Sequence, residues 1–273
     1  MSPSPRMPVV FIGHGSPMIA LETNQTSRSW VEIAAAIPRP KAILAISAHW
    51  ETRVTAVTAM DRPRTIHDFG AGFPKALFDM QYPAPGDPAL ARRVAELLAP
   101  RPVALDESQW GLDHGTWSVL VKAYPQADIP VVQLGLDVNL GPAERFAIGQ
   151  QLIPLRDEGV LILGTGNIVH NLRTMDWGGQ AGPPFDWAKR FNDEMREAIL
   201  ADEPQRVIDF ARLGQDAQLA APTPEHFWPL LYVLGARAPG DRVRLVNDRI
   251  EYGSLGMTSV VLEDEGAAAR DAA

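Results

Sequence analysis

Lys41-Ala-Ile-Leu-Ala-Ile-Ser-Ala-His49-Trp-Glu51 is the stretch that decides how this chain folds. Residues 42–46 are five consecutive apolar positions. That is too short for a core helix and fits a strand buried on both faces. The run stops at Ser47-Ala48 and delivers a histidine and a tryptophan. In an open α/β sheet, ligands bind beyond the carboxyl ends of the strands, so a histidine there is a candidate for chemistry. The pattern recurs. Pro8-Val-Val-Phe-Ile12 runs into Gly13-His14-Gly15, and Val160-Leu-Ile-Leu163 runs into Gly164-Thr-Gly166-Asn167 and then His170. His14 and His49 therefore look like the ends of adjacent buried strands that share one ion.

Around this frame the chain alternates strands and helices. Strands are expected at 8–12, 42–47, 53–60, 102–105, 129–134, 159–163, 242–250 and 257–262. Helices are expected at 26–36, 87–98, 116–123, 142–155, 185–200, 204–212 and 224–235, with Pro88 and Pro224 at first helical positions. The fold class this implies is three-layer α/β/α, with a central mixed, mostly parallel sheet. Residues 61–86 have many Gly, Pro and aromatic positions and no sustained period. A long irregular stretch inside a compact domain is usually functional, so it is expected to cover the pocket. No repeat or linker divides the chain. One domain over 1–262 is expected, followed by a small, charged tail at 263–273 outside the fold.

Composition narrows the function classes. The chain has 273 residues, is 46% hydrophobic and carries a formal net charge of -8, which argues against nucleic acid as a partner. No run approaches the roughly 20 apolar residues of a membrane span. Cysteine is absent. That removes thiolate nucleophiles, zinc ribbons and disulfide frameworks, and suits a reducing cytoplasm.

There are six histidines: His14, His49, His67, His114, His170 and His226. No pair has the local spacing of a helical metal motif, so a site must be assembled from distant segments. Imidazole suits Zn, Fe, Ni and Cu, and a metal with open positions takes up substrate or water. Hydrolysis and dioxygen chemistry both stay open on composition alone. Gly164-Thr-Gly166-Asn-Ile-Val169 lacks the third glycine of a dinucleotide loop, and neither Ser16 nor Ser47 sits in Gly-x-Ser-x-Gly. Trp50, Trp110, Trp117 and Trp228 are either core or walls for a flat apolar substrate.

Several ordered motifs carry a resemblance. They are Phe11-Ile-Gly-His14-Gly-Ser-Pro-Met18, Ser47-Ala-His49-Trp-Glu51, Thr65-Ile-His67-Asp-Phe69 and Gln81-Tyr-Pro-Ala-Pro-Gly86. Leu112-Asp-His114-Gly-Thr-Trp117, His170-Asn-Leu172 and Pro222-Thr-Pro-Glu-His226 continue the series. Together they resemble the DOPA 4,5-dioxygenase extradiol family, one of the class III extradiol ring-opening dioxygenases. The stretch Phe69-Gly-Ala-Gly-Phe73 is one residue longer than the usual pattern.

The resemblance implies a metal held by His14, His49 and His226, with His170 as catalytic base or fourth ligand and His114 beside it. Glu225 competes with His226, because more distant relatives complete the triad with a glutamate. His67, Phe69 and Trp50 are the expected substrate contacts. The implied cofactor is Fe(II) for activity, with Zn in a resting form. The implied partners are a small catechol and O2, and self-association into a homo-oligomer stays open. A zinc-dependent hydrolase using the same histidines and a Memo-like binding protein without ring cleavage are the alternatives.

Overall fold

The structure is a computed structural model, and it describes residues 6–264. Its strands are β1 (Val9–Gly13), β2 (Ala42–Thr52), β3 (Ala56–Thr58), β4 (Ala104–Asp106) and β5 (Val131–Asp137). They continue with β6 (Val160–Gly166), β7 (Asp241–Val246), β8 (Ile250–Glu251), β9 (Leu255–Gly256) and β10 (Ser259–Asp264). Eight of them form one sheet in the order β4-β3-β5-β2-β6-β1-β10-β7. The middle is parallel: β5 pairs β2, β2 pairs β6, and β6 pairs β1. β3 runs antiparallel to β5, and β10 and β7 close the other side antiparallel.

The two-residue period of a strand explains the layers. Val9, Phe11, Leu44, Ile46 and Ile162 face one core, shared with the helices Pro142–Leu152, Asp186–Leu200 and Trp228–Gly235. Val10, Ile12, Ile43, Ala45 and Leu161 face the other, shared with the helices Gln25–Ala36 and His114–Ala123. The three-layer α/β/α architecture with a mixed, mostly parallel sheet is therefore present. Among the described residues no helix is long and apolar enough to cross a membrane.

Several expectations are corrected. β1 and β2 are not neighbours, because β6 lies between them. β2 does not stop at Ala48. Its pairing with β5 is interrupted between Ile46 and Glu51 and then resumes to Thr52, so His49 sits inside a strand irregularity. The strand expected at 53–60 shrinks to β3, and that at 102–105 shifts to β4. The helix expected at 142–155 breaks into Pro142–Leu152 and Pro154–Asp157, since Pro154 has no N–H for the helix to use. Residues 204–212 divide into Pro204–Ile208 and a 3-10 turn at Phe210–Leu213, and a further helix, Gln215–Ala220, follows. The last helix divides into a 3-10 turn at Pro224–His226 and the helix from Trp228.

Between β7 and β10 the chain inserts a small hairpin, β8–β9. Ser254 N–H donates to Glu251 O across its turn, and Tyr252 and Gly253 have φ of 51° and 75°. Two positive φ values in succession give the twist that tight hairpins favour. At the end of the described residues, Glu263 and Asp264 belong to β10, and Arg242 donates to Glu263 across the sheet. They are not part of a tail. Residues 265–273 of the expected tail lie outside the described residues.

Candidate metal centre

The carboxyl ends of β1, β2 and β6 form one rim, and the histidines gather there. His14 follows β1, and its N–H donates to Gly166 O at 3.0 Å, extending the parallel pairing by one residue. His49 lies in the irregular part of β2, where its N–H turns to Ser47 Oγ at 3.2 Å. His226 closes the 3-10 turn, and its carbonyl accepts from Asn167 N–H at 2.8 Å. The Asn167 side chain donates to His14 O at 2.5 Å and to Gly256 O at 2.7 Å. Asn167 thus ties the His14 loop, the His226 turn and the β8–β9 hairpin to the end of β6. A Cβ on Gly166 would run into the carbonyl of His226, so only glycine allows that approach.

The side chains converge. His14 Nε2 and His49 Nε2 are 3.1 Å apart. One ring nitrogen from each of His14, His49 and His226 lies within 4.8 Å of the others. Nitrogens at this spacing can both lie about 2.0–2.1 Å from one ion. His226 Nδ1 is 3.0 Å from Glu225 Oε1, which turns its Nε2 inward. Glu225 also accepts from Thr223 Oγ1 at 3.0 Å, so its carboxylate backs the His226 ring. His14 Nδ1 is buried with no partner, so no structural network explains that ring. Its other nitrogen, Nε2, is the one that faces His49 Nε2.

Electrostatics favour ligand-ready rings. Burial, helped by the neighbouring imidazoles, holds His14 and His226 well below the usual histidine value. Burial and the adjacent His114 bring His49 down to about 3. All three are neutral near pH 7, the form that binds a metal. The donor set therefore fits a non-haem metal ion. His170 lies against His226, and burial, opposed by Glu225, lowers it to about 4.

His114 opens its helix. The Asp113 carboxylate caps that helix through Thr116 N–H at 3.2 Å and accepts from Ser47 Oγ at 2.7 Å and from Gln133 Nε2. Asp68 accepts from His114 twice, at Oδ1 from the backbone N–H (2.8 Å) and at Oδ2 from Nδ1 (2.9 Å). The same Oδ2 is 3.5 Å from His49 Nδ1. Burial alone would raise the Asp68 carboxyl, but the His114 hydrogen bonds and the charges of His114 and His49 hold it below its usual range. From the sequence, Asp68 is expected only as part of the stretch covering the pocket, not as a partner of the histidines. Its one available signal was its place between His67 and Phe69 in the irregular stretch.

A cavity of about 490 Å³ opens over this cluster, within the range of small-ligand sites. His14, His49, His114, His170 and His226 line it, as do Asp68, Phe69 and Phe73 of the irregular stretch. Two expected contacts lie elsewhere. His67 Nε2 is 2.9 Å from Met80 O, and its ring packs between Phe69 and Trp117, behind the wall. Trp50 points to the opposite side of β2 from His49 and stacks on Trp110, with ring centroids 5.8 Å apart.

The chain is similar to known proteins along nearly its whole length. Residues 8–263 match the family described as the catalytic LigB subunit of aromatic ring-opening dioxygenase. The 4,5-DOPA dioxygenase extradiol of Escherichia coli K12 is 51% identical over 94% of this chain and 95% of its own length. The 4,5-DOPA dioxygenase extradiol of Beta vulgaris is 38% identical over 91% of this chain and 96% of its own. The crystal structure of an uncharacterized protein from Escherichia coli K12 superimposes with a TM-score of 0.82 at 46% identity, covering 94% of this chain and 99% of that one. With its histidine rim and a family match spanning the sheet from β1 to β10, the chain belongs to the LigB family of aromatic ring-opening dioxygenases.

Proposed function

We propose that this protein is an extradiol dioxygenase that opens the ring of a catechol, DOPA-like or related, with O2 at a non-haem iron. The convergence of neutral His14, His49 and His226 on one point carries this reading. These three would hold the ion. Bound Fe(II) supplies the redox capacity and the positive charge that draw a catecholate and dioxygen together. Zn is d¹⁰ and has no redox chemistry to offer, so a zinc-loaded protein would be a resting form.

The chain's own groups manage protons and position. His170 is neutral at pH 7 and lines the cavity. It takes a proton from a catechol hydroxyl as a general base. His114 has its Nδ1 committed to Asp68, which directs its Nε2 at the substrate, where it can bond to developing oxygen charge. Phe69 and Phe73 hold the flat ring and exclude water. The cytoplasm is the expected compartment.

The test is anaerobic loading with Fe(II), followed by catechol and air. Oxygen uptake with formation of a yellow semialdehyde is expected. Turnover supported by Zn without oxygen demand would replace this reading with the hydrolase.

A further inference from the structure

We infer that Asp113 is a positioning residue for the metal centre, a buried carboxylate that sets the spacing between the proposed ligand His49 and the substrate-facing His114. This rests on the proposed function, in which His49 holds the ion.

The need arises in β2. Its pairing with β6 ends at Ser47, and its pairing with β5 is interrupted between Ile46 and Glu51. The N–H of His49 therefore finds no strand partner, and Ser47 Oγ accepts it at 3.2 Å. A hydroxyl that accepts at its oxygen still has its own proton to place. Ser47 donates that proton to Asp113 Oδ1 at 2.7 Å. The chain beyond His49 leads to the same carboxylate. Trp50 stacks on Trp110 with planes within 6°, and Trp110 Nε1 donates to Asp113 Oδ2 at 3.4 Å. His49 is thus tied to Asp113 from both sides.

The other arm is the helix that His114 opens. Asp113 is its N-cap, and Oδ1 accepts from Thr116 N–H at 3.2 Å. Gly115 admits β2 to this helix end, since a Cβ there would run into Ser47 Oγ and the His49 ring. Gln133 of β5 donates to Oδ2 and accepts from Thr116 Oγ1 at 3.0 Å, which closes the group.

Helix capping alone does not account for this. An N-cap needs one acceptor oxygen, which serine or asparagine supplies. Asp113 is fully buried, and both of its oxygens are taken by four neutral donors from β2, β5, the helix and the Trp110 loop. Burying a carboxylate among neutral partners is costly, and the cost is bearable only when every lone pair is satisfied. The result is one rigid point to which both imidazoles are fixed. Asp68 aims the His114 ring, and Asp113 sets how far that ring stands from His49.

The experiment separates metal binding from turnover in Ser47→Ala, Ser47→Thr and Asp113→Asn. Kd for Co(II) and Fe(II) is measured by anaerobic chelator competition. The visible Co(II) spectrum reports the ligand arrangement, and Tm of the metal-free protein reports folding. Ser47→Ala strands the His49 N–H and should weaken both metals by about 10–100-fold, the scale of groups behind metal ligands, with an altered Co(II) spectrum. Ser47→Thr keeps the hydroxyl and should restore both. Asp113→Asn has one acceptor oxygen where two are used, and should weaken the metals to the same degree. Because it also disturbs the start of the His114 helix, it should weaken anaerobic catechol binding to metal-refilled protein, which Ser47→Ala should leave near that of the parent. A lower Tm with unchanged metal Kd and Co(II) spectrum in Ser47→Ala and Asp113→Asn would make the network merely structural and overturn the inference. If Ser47→Ala fails to fold, Asp113→Asn decides by the same criterion. A parent protein that binds metal yet opens no catechol would overturn the proposed reaction and leave this positioning role to stand on the metal data. A parent that binds neither metal would overturn both.

Discussion

The rings of His170 and His226 lie face to face, with centroids 3.5 Å apart and planes within 7°. One ring is assigned to the metal and the other to the substrate proton, so the stack couples holding to chemistry. His170→Ala is expected to keep its iron and bind catechol but lose turnover by about 10²–10⁴-fold, the usual worth of a general base. His170→Phe restores a ring against His226 without restoring the base, so it should retain iron and be equally inactive. Iron content beside the ring-cleavage rate checks both. Iron loss in His170→Ala equal to that of a ligand variant would make His170 a ligand.

His14→Ala, His49→Ala and His226→Ala should each lose the metal itself. One ring nitrogen of each lies within 4.8 Å of the others, so each would supply a ligand to the same ion. Metal per chain after dialysis should fall to background in all three, while far-ultraviolet circular dichroism stays that of the parent. Full metal in any one of them removes that residue from the ligand set.

Asp68→Asn replaces one acceptor oxygen with an amide. The variant can accept from the His114 backbone or from its ring, but not from both. It also loses the charge beside His49 Nδ1. Metal affinity or turnover should drop by roughly 10–100-fold, as for other carboxylates behind metal-site histidines. Unchanged affinity together with unchanged rate would reduce Asp68 to a loop anchor.

Acid should weaken the metal-depleted fold. His49 at about 3 and His170 at about 4 both lie below the ordinary 6.5 of an unfolded chain. Below 6.5 the unfolded chain therefore binds more protons than the native one. Stability is complete above that pH and falls progressively as pH drops toward 4. The urea midpoint of chelator-treated protein should trace this decline. His170→Gln should make the slope shallower, and a midpoint flat across the window would contradict the burial of these rings.

Gly166→Ala sets a methyl group against the carbonyl of His226. The strand end or the His226 turn must move, at a cost of about 1–3 kcal/mol for overpacking. A lower Tm together with weakened metal retention is expected. A variant as stable and as metal-rich as the parent would mean the turn relaxes freely.

Much of this arrangement could be read from the sequence because buried parallel strands leave a plain mark. The apolar runs before His14, His49 and His170 identify their strands and the rim they reach. What could not be read depends on partners distant in sequence. Nothing in residues 8–12 or 42–47 reveals that β6 lies between them, since strand order is set by how the helices pack. The extension of β2 past His49 depends on β5 resuming its pairing at Leu136. The facing of Trp50 follows from that extension, because alternation then sends it away from His49. Asp68 and Tyr252 sit in irregular segments, where no period marks which way a side chain points.

The staple formed by Asn167 has a bearing on how such a protein would live in a cell. Its bonds run from one backbone segment to another through the Asn167 amide, and none depends on an ion. The rim is thus tied together by the polypeptide itself. If the protein folds without its ion, folding would not select the metal, and occupancy would follow what the surroundings supply. On the proposed chemistry, a shortage of iron would then silence the protein without unfolding it.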